Sequence, residues 1–254
     1  MLLAIDIGNS NIALGGFSEE KLCFVARIST DVSKTSDEYA SILLNTLSLY
    51  QISPNAVRGA IVSSVVPALN RAIKEAVKLI CGIEPLLVGP GIKTGLGLHC
   101  DDPASVGADL VCACVAARAI YGKPVLIIDM GTATKMTVVD QSGAFAGVSI
   151  IPGVNMGLKA LTEGTAQLPQ VSLEEPKTVI GKNTVECMRS GIIYGNASLI
   201  DGMIDRFNEE LGANLPIVAT GGLANTIIKH CKHCITVDET LVLKGLNIIY
   251  NKNN

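Results

Sequence analysis

Two stretches of this chain set an aspartate, a glycine and a hydrogen-bonding side chain in the same order at the end of an apolar run. The first is Leu2-Leu3-Ala4-Ile5-Asp6-Ile7-Gly8-Asn9-Ser10-Asn11, and the second is Val125-Leu126-Ile127-Ile128-Asp129-Met130-Gly131-Thr132-Ala133-Thr134. Glycine lets the backbone turn tightly and come close to an anion, and the amide or hydroxyl that follows donates to phosphate oxygens. The aspartate can hold a cation between those oxygens. One Asp-x-Gly turn is common at the end of a buried strand. Two of them, one in each half of the chain, read as loops that close on the phosphate tail of a nucleotide from opposite sides.

Other residues extend that chemistry. Thr220-Gly221-Gly222 is either an ordinary strand-to-helix turn or a surface passing close beneath a flat ligand such as adenine, since adjacent glycines carry no blocking side chain. Asp109, in Val106-Gly107-Ala108-Asp109-Leu110, is either a solvated acid on a helix or a base that takes the proton from a substrate hydroxyl during phosphoryl transfer. His230-Cys231-Lys232-His233-Cys234 is dense in soft ligands, but tetrahedral zinc sites draw their ligands from two separated elements, so an exposed helix end competes with metal binding.

The elements that must position these residues alternate between strand and helix. Strands are expected at Leu2–Ile7, Ala13–Phe17, Phe24–Ile28, Gly59–Val62 and Pro85–Val88, with helices at Asp37–Leu49, Ala68–Ile80 and about Ser105–Tyr121. After Gly122-Lys123-Pro124 the pattern restarts: strands Val125–Ile128, Met136–Asp140, Ala144–Ile151 and Pro216–Ala219, and helices Gly157–Leu161, Thr184–Leu211 and Leu241–Tyr250. This is an α/β architecture of two lobes, residues 1–117 and 118–254, with the ligand cleft between them and a last helix that can pack on either.

Composition narrows the function classes. A chain of 254 residues, 48% hydrophobic and 17% charged, buries enough surface to fold without disulfides, leaving only the polar tail Asn251 to Asn254 as expected disorder. Its net charge of −3, without a dense basic run, argues against nucleic acid as a partner. No apolar stretch is long enough to span a bilayer, and the chain opens on a strand instead of a signal sequence. Its eight cysteines, several inside apolar runs such as Val111-Cys112-Ala113-Cys114-Val115, read as reduced thiols in the cytoplasm.

From end to end the chain resembles the type III pantothenate kinases, a bacterial family of the acetate and sugar kinase, Hsp70 and actin superfamily. The resemblance rests on Asp6-Ile7-Gly8-Asn9-Ser10-Asn11, Thr35-Ser36-Asp37-Glu38-Tyr39, Ser63-Ser64-Val65-Val66-Pro67, Val106-Gly107-Ala108-Asp109 and Asp129-Met130-Gly131-Thr132-Ala133. It continues through Ile150-Ile151-Pro152-Gly153, Thr165-Ala166-Gln167-Leu168-Pro169, Ile180-Gly181-Lys182-Asn183-Thr184 and Thr220-Gly221-Gly222-Leu223-Ala224. It implies a duplicated, actin-like (ribonuclease H-like) ATPase fold and the phosphorylation of pantothenate by ATP, the first step of coenzyme A synthesis. By the same resemblance Asp6, Ile7, Gly8, Asn9, Ser10, Asn11, Ile12, Ala13 and Thr132 bind ATP, and Asp129 holds potassium or ammonium. Cys100, Gly107, Ala108, Asp109 and Leu110 line the pantothenate pocket, with Asp109 as general base. Thr184 closes the pocket from the partner subunit of a homodimer, and magnesium shields the phosphate charge.

Three positions depart from the family pattern. Leu110 stands where an arginine that binds the pantothenate carboxylate is usual, Cys100 where a tyrosine is common, and Lys135 where threonine or another small polar residue is common. Leucine offers no donor to a carboxylate. Lys135 either supplies the charge missing at position 110 or pairs with ATP. The alternative is a divergent homologue with another acceptor, or a non-catalytic regulator.

Overall fold

The computed structural model describes all 254 residues, which form two units: Met1–Ile120 with Thr240–Asn254, and Tyr121–Glu239. In the first unit β1 (Leu2–Ile7), β2 (Asn11–Ser18) and β3 (Lys21–Ser29) make an antiparallel meander, and β4 (Gly59–Ser64) and β5 (Leu86–Leu87) add in parallel on the other side of β1. The sheet order is β3-β2-β1-β4-β5. Its helices are α1 (Ser36–Leu49), α2 (Pro67–Cys81), α3 (Ala108–Tyr121) and the terminal helix Leu241–Asn253.

Side chains alternate across a strand, and β1 shows what that alternation selects. Leu3, Ile5 and Ile7 enter a core with Tyr39, Leu43 and Leu47 of α1 and Leu69, Ile73 and Val77 of α2. Leu2 and Ala4 face the opposite way, into a core with Val111, Cys112 and Val115 of α3 and Leu243, Leu246 and Ile249 of the terminal helix. Asp6 has the parity of Leu2 and Ala4, so its carboxylate belongs to the α3 side of the sheet. The terminal helix lies directly on α3: a Cβ on Gly245 would stand 2.0 Å from the carbonyl oxygen of Cys112.

The second unit repeats this plan. β6 (Val125–Met130), β7 (Ala133–Val139) and β8 (Phe145–Pro152) form the meander, and β9 (Ile217–Thr220) and β10 (Thr236–Val237) add in parallel beyond β6, giving the order β10-β9-β6-β7-β8. α4 (Val154–Glu163), α5 (Thr184–Leu211) and α6 (Ala224–Ile228) complete it, and the terminal helix is thus α7. Leu126, Ile128 and Met130 pack with Ile193, Ala197, Ile200 and Ile204 of α5. The residues of opposite parity on β6 include Asp129.

Two motifs behind the family resemblance are helix starts. Thr35 caps α1, accepting from Glu38 N–H at 3.3 Å while the Glu38 carboxylate accepts from Thr35 N–H at 2.8 Å, a reciprocal capping box. Asn183 caps α5 by accepting from Glu186 N–H at 3.0 Å. Two expectations are corrected. The helix expected from about Ser105 begins at Ala108, because Pro103–Ser105 form a separate 3-10 turn capped by Asp102 and Val106 is extended. The tail expected to be disordered completes α7, where Asn253 accepts from Lys93 N–H and donates to Lys93 C=O. No helix is long and apolar enough to cross a membrane.

Candidate active site

β1 and β6 are both six residues long and bury their residues in the same order, with the aspartate as the one partly exposed member of each. Asp6 pairs with Ala13 across the hairpin and with Ser63 in parallel; Asp129 pairs with Lys135 and with Thr220. The two acids therefore occupy the same station in two equivalent sheets.

In the first unit, Gly8, Asn9, Ser10 and Asn11 make the turn from β1 to β2. Gly8 N–H donates to Asn11 C=O at 3.0 Å, and Thr30 ties the turn down by donating its hydroxyl to Gly8 C=O at 2.6 Å and its N–H to Ser10 C=O at 3.0 Å. A Cβ on Gly8 would approach that Asn11 oxygen to 3.0 Å, so the glycine keeps the turn closed. Asn9, Ser10 and Asn11 are exposed at its tip, whereas Ile7 and Ile12 on either side are buried in the sheet and Ala13 is half-buried. Ile7 and Ile12 act as anchors of the turn, and Thr30 is a supporting residue the motif alone did not reveal.

Asp109 sits in the first turn of α3, where a helix N-terminus favours an anion. Its Oδ1 accepts from Leu110 N–H at 2.8 Å. A Cβ on Gly107 would stand 2.6 Å from that same oxygen, so a side chain there would displace the carboxylate from this position. Asp6, on the face of the sheet that α3 covers, and Asp109, in the first turn of α3, both act on the fully buried Cys112 thiol one turn further along the helix. Burial first, then Asp6 and Asp109, push its pKa well up, so it stays a neutral thiol. Cys112 is a neighbour of the site that sequence reading treated only as a core residue. Ala108 is half-buried at the helix start, Cys100 is half-exposed in the segment before the 3-10 turn, and Leu110 is only 8% exposed.

In the second unit, Gly131, Thr132 and Ala133 form the corresponding turn, and Thr132 is exposed at its tip. Gly153 supports it from the end of β8, since a Cβ there would lie 2.1 Å from Thr132 O and 3.0 Å from Gly131 O. Gly221 has φ +94°, and a Cβ on it would meet the Met130 backbone at 2.6 Å, so this turn is seated against the end of β6. Nothing lies within 4 Å of a Cβ on Gly222, leaving that face open to a flat group. Beside Asp129, the residue expected to hold a monovalent cation, stands a lysine ammonium: Lys135 Nζ is 2.7 Å from Asp129 Oδ2. Thr184 is exposed at the first position of α5.

The His-Cys cluster after α6 does not converge. His230 packs edge-on against Tyr194, Cys231 faces the carbonyls of Ala197 and Ile227, and His233 Nε2 meets Asp205 Oδ1 at 2.9 Å. No group of three or more metal-ligating side chains forms there or elsewhere.

Comparison with known proteins agrees with this frame. A family model described as type III pantothenate kinase matches residues 2–206. A type III pantothenate kinase of Bifidobacterium animalis subsp. lactis is 42% identical over 253 residues, covering 100% of both chains, and one of Moorella thermoacetica is 41% identical over 254 residues, again covering 100% of both. Among solved structures, a Campylobacter jejuni protein described as a conserved Baf family transcriptional activator matches with TM-score 0.63 at 18% identity, over 99% of this chain and 98% of that one. A ROK hexokinase of Thermus thermophilus matches with TM-score 0.53 at 11% identity, over 100% of this chain and 99% of that one. At such identities the structures speak for the fold, which is the two-lobed, actin-like ATPase fold of sugar kinases. The family model and the full-length likeness to its named members carry the identification: this chain belongs to the type III pantothenate kinase family.

Proposed function

We propose that the chain transfers the γ-phosphoryl group of ATP to the primary hydroxyl of pantothenate, giving 4′-phosphopantothenate and opening coenzyme A synthesis. The observation that carries this reading is the placement of Asp6 on the face of its sheet that α3 covers, with Asp109 in the first turn of that helix, in a chain alike over its full length to named pantothenate kinases. Asp109 takes the hydroxyl proton as the oxygen attacks the γ-phosphorus and the bond to the β–γ bridging oxygen breaks, with ADP leaving. Phosphoryl transfer passes through a loose transition state with little bonding to the attacking oxygen, so the hydroxyl proton is lost late and a carboxylate is base enough to take it. The bond Asp109 accepts from Leu110 N–H holds the carboxylate in orientation.

Backbone amides and the Asn9, Ser10 and Asn11 side chains of the first turn donate to the phosphates, the Thr132 hydroxyl serves the same tail from the second turn, and the open Gly222 face receives the adenine. Magnesium entering with ATP shields the phosphate charge, and Asp6, a hard oxygen donor at a strand end, would hold it. A monovalent metal ion at Asp129 is left out of this reading, because the Lys135 ammonium already stands at that carboxylate.

The active species in this reading is a cytoplasmic homodimer in which Thr184 completes the partner's pantothenate pocket. Its support is the exposed position of Thr184 and the apolar side chains that the second unit leaves exposed, among them Ile150, Met156, Leu161, Val179 and Ile180. Purified protein incubated with ATP, magnesium and pantothenate should yield a phosphomonoester of pantothenate, read by phosphorus NMR and mass spectrometry. A folded protein that binds ATP and leaves pantothenate unchanged refutes the acceptor. Sedimentation should give a dimer at micromolar concentration, and a fully active monomer refutes the shared pocket.

A further inference from the structure

We propose that Lys135 is a built-in monovalent cation: its ammonium supplies, from within the chain, the positive charge that a free potassium or ammonium ion would otherwise bring between Asp129 and the ATP phosphates. The inference rests on the ATP-binding role given above to the second turn.

The register makes the pairing unavoidable. Asp129 and Lys135 face each other directly across the β6–β7 hairpin, so their side chains leave the sheet on the same face. The Nζ–Oδ2 distance is 2.7 Å, and the side chains are only 17% and 18% exposed, so this is a fixed, partly desolvated pair and not a solvated surface contact. The duplication supplies an internal comparison. At the same station of the first unit Asp6 faces Ala13 across its hairpin, and the alanine methyl carries no charge. Only the second unit has a cation installed opposite its acid.

The chemistry of the two cations is close. A lysine ammonium is a compact point charge with three N–H donors, the tethered counterpart of an ammonium ion. It can hold Asp129 with one donor and turn others toward a phosphate oxygen. A second cation of like charge at the same carboxylate would be repelled by the first. Because the lysine is covalently attached, its local concentration does not depend on the salt in solution. The carboxylate would otherwise repel the phosphate tail, so the charge has a function that packing alone does not explain.

The test compares wild type with Lys135→Thr in potassium, ammonium, sodium or tetramethylammonium chloride at constant ionic strength, reading both the kinase rate and ATP affinity by calorimetry. Wild type is expected to vary by no more than about twofold across the salts in either readout. Lys135→Thr should lose about 10- to 100-fold in ATP affinity and kcat/KM in tetramethylammonium, the range expected for one charge-assisted contact, and recover saturably with potassium or ammonium. A rate or ATP affinity of wild type raised more than about fivefold by potassium would overturn the proposal, as would a variant equal to wild type in every salt. Wild-type protein that binds ATP but phosphorylates no pantothenate in any salt would remove the acceptor assignment, and the ATP affinities would still decide the role of Lys135. Absence of ATP binding in all salts would refute both. If the variant does not fold, the wild-type salt series alone decides.

Discussion

Gly153 is packed onto the carbonyl of Thr132 so closely that a single added methyl would lie 2.1 Å from its oxygen and 2.8 Å from its carbon. Gly153 has φ −68°, which alanine adopts freely, so a change there acts through this contact and not through backbone strain. Gly153→Ala should push the second turn out of place, costing about 1–3 kcal/mol of stability by overpacking and raising KM for ATP. Thermal unfolding with and without ATP, together with steady-state kinetics, checks this. An alanine variant with unchanged ATP kinetics would detach Gly153 from the nucleotide site.

Asp109→Asn keeps the size of the side chain and its oxygen can still accept from Leu110 N–H, but the amide cannot take a proton. The expected result is a fall in kcat of about 100- to 10,000-fold with melting temperature and ATP affinity little changed. Single-turnover measurement of phosphopantothenate formation gives the number. Turnover within a few-fold of wild type would exclude Asp109 as the base.

Leu110→Arg restores the residue usual at that position by the family resemblance. If its guanidinium reaches the pantothenate carboxylate, KM for pantothenate should drop about 10- to 100-fold, as expected for a contact of about 1.5–3 kcal/mol, with KM for ATP unchanged. Because Leu110 is only 8% exposed, the unliganded variant should melt below wild type, and pantothenate should return more of that loss than it adds to wild type. An unaltered pantothenate KM in a folded variant would show that the carboxylate is not reached from position 110.

The adjacent glycines 221 and 222 should respond differently. Gly221→Ala places a methyl 2.6 Å from the Met130 backbone at a φ of +94°, so it should destabilise the protein by about 1–3 kcal/mol and lower its melting temperature by several degrees. Gly222→Val projects into open space, so stability should change by no more than about 0.5 kcal/mol while KM for ATP rises. Differential scanning calorimetry separates the two. Equal losses of stability would mean that the Gly222 face is not open.

Much of this protein is written locally. The duplicated strand-turn motif, the capping box of Thr35 and Glu38 and the start of α5 at Thr184 depend on residues a few positions apart, so their spacing in the sequence is enough to read them. The parity of β1 likewise puts Asp6 on the opposite face from Ile5 and Ile7 before any helix is placed. Which helix covers that face depends on pairings between distant segments, and only the tertiary structure brings α3, which carries Asp109 and Cys112, and α7 to it. The same holds for Lys135, which the sequence left between pairing with ATP and replacing the charge missing at Leu110, and which hairpin register delivers to Asp129. Glycine supplies the last contrast: the turn at Gly8 is foreseeable from its neighbours, whereas the need for glycine at 153 comes from a backbone twenty-one residues earlier in the chain, met only when β8 pairs with β7.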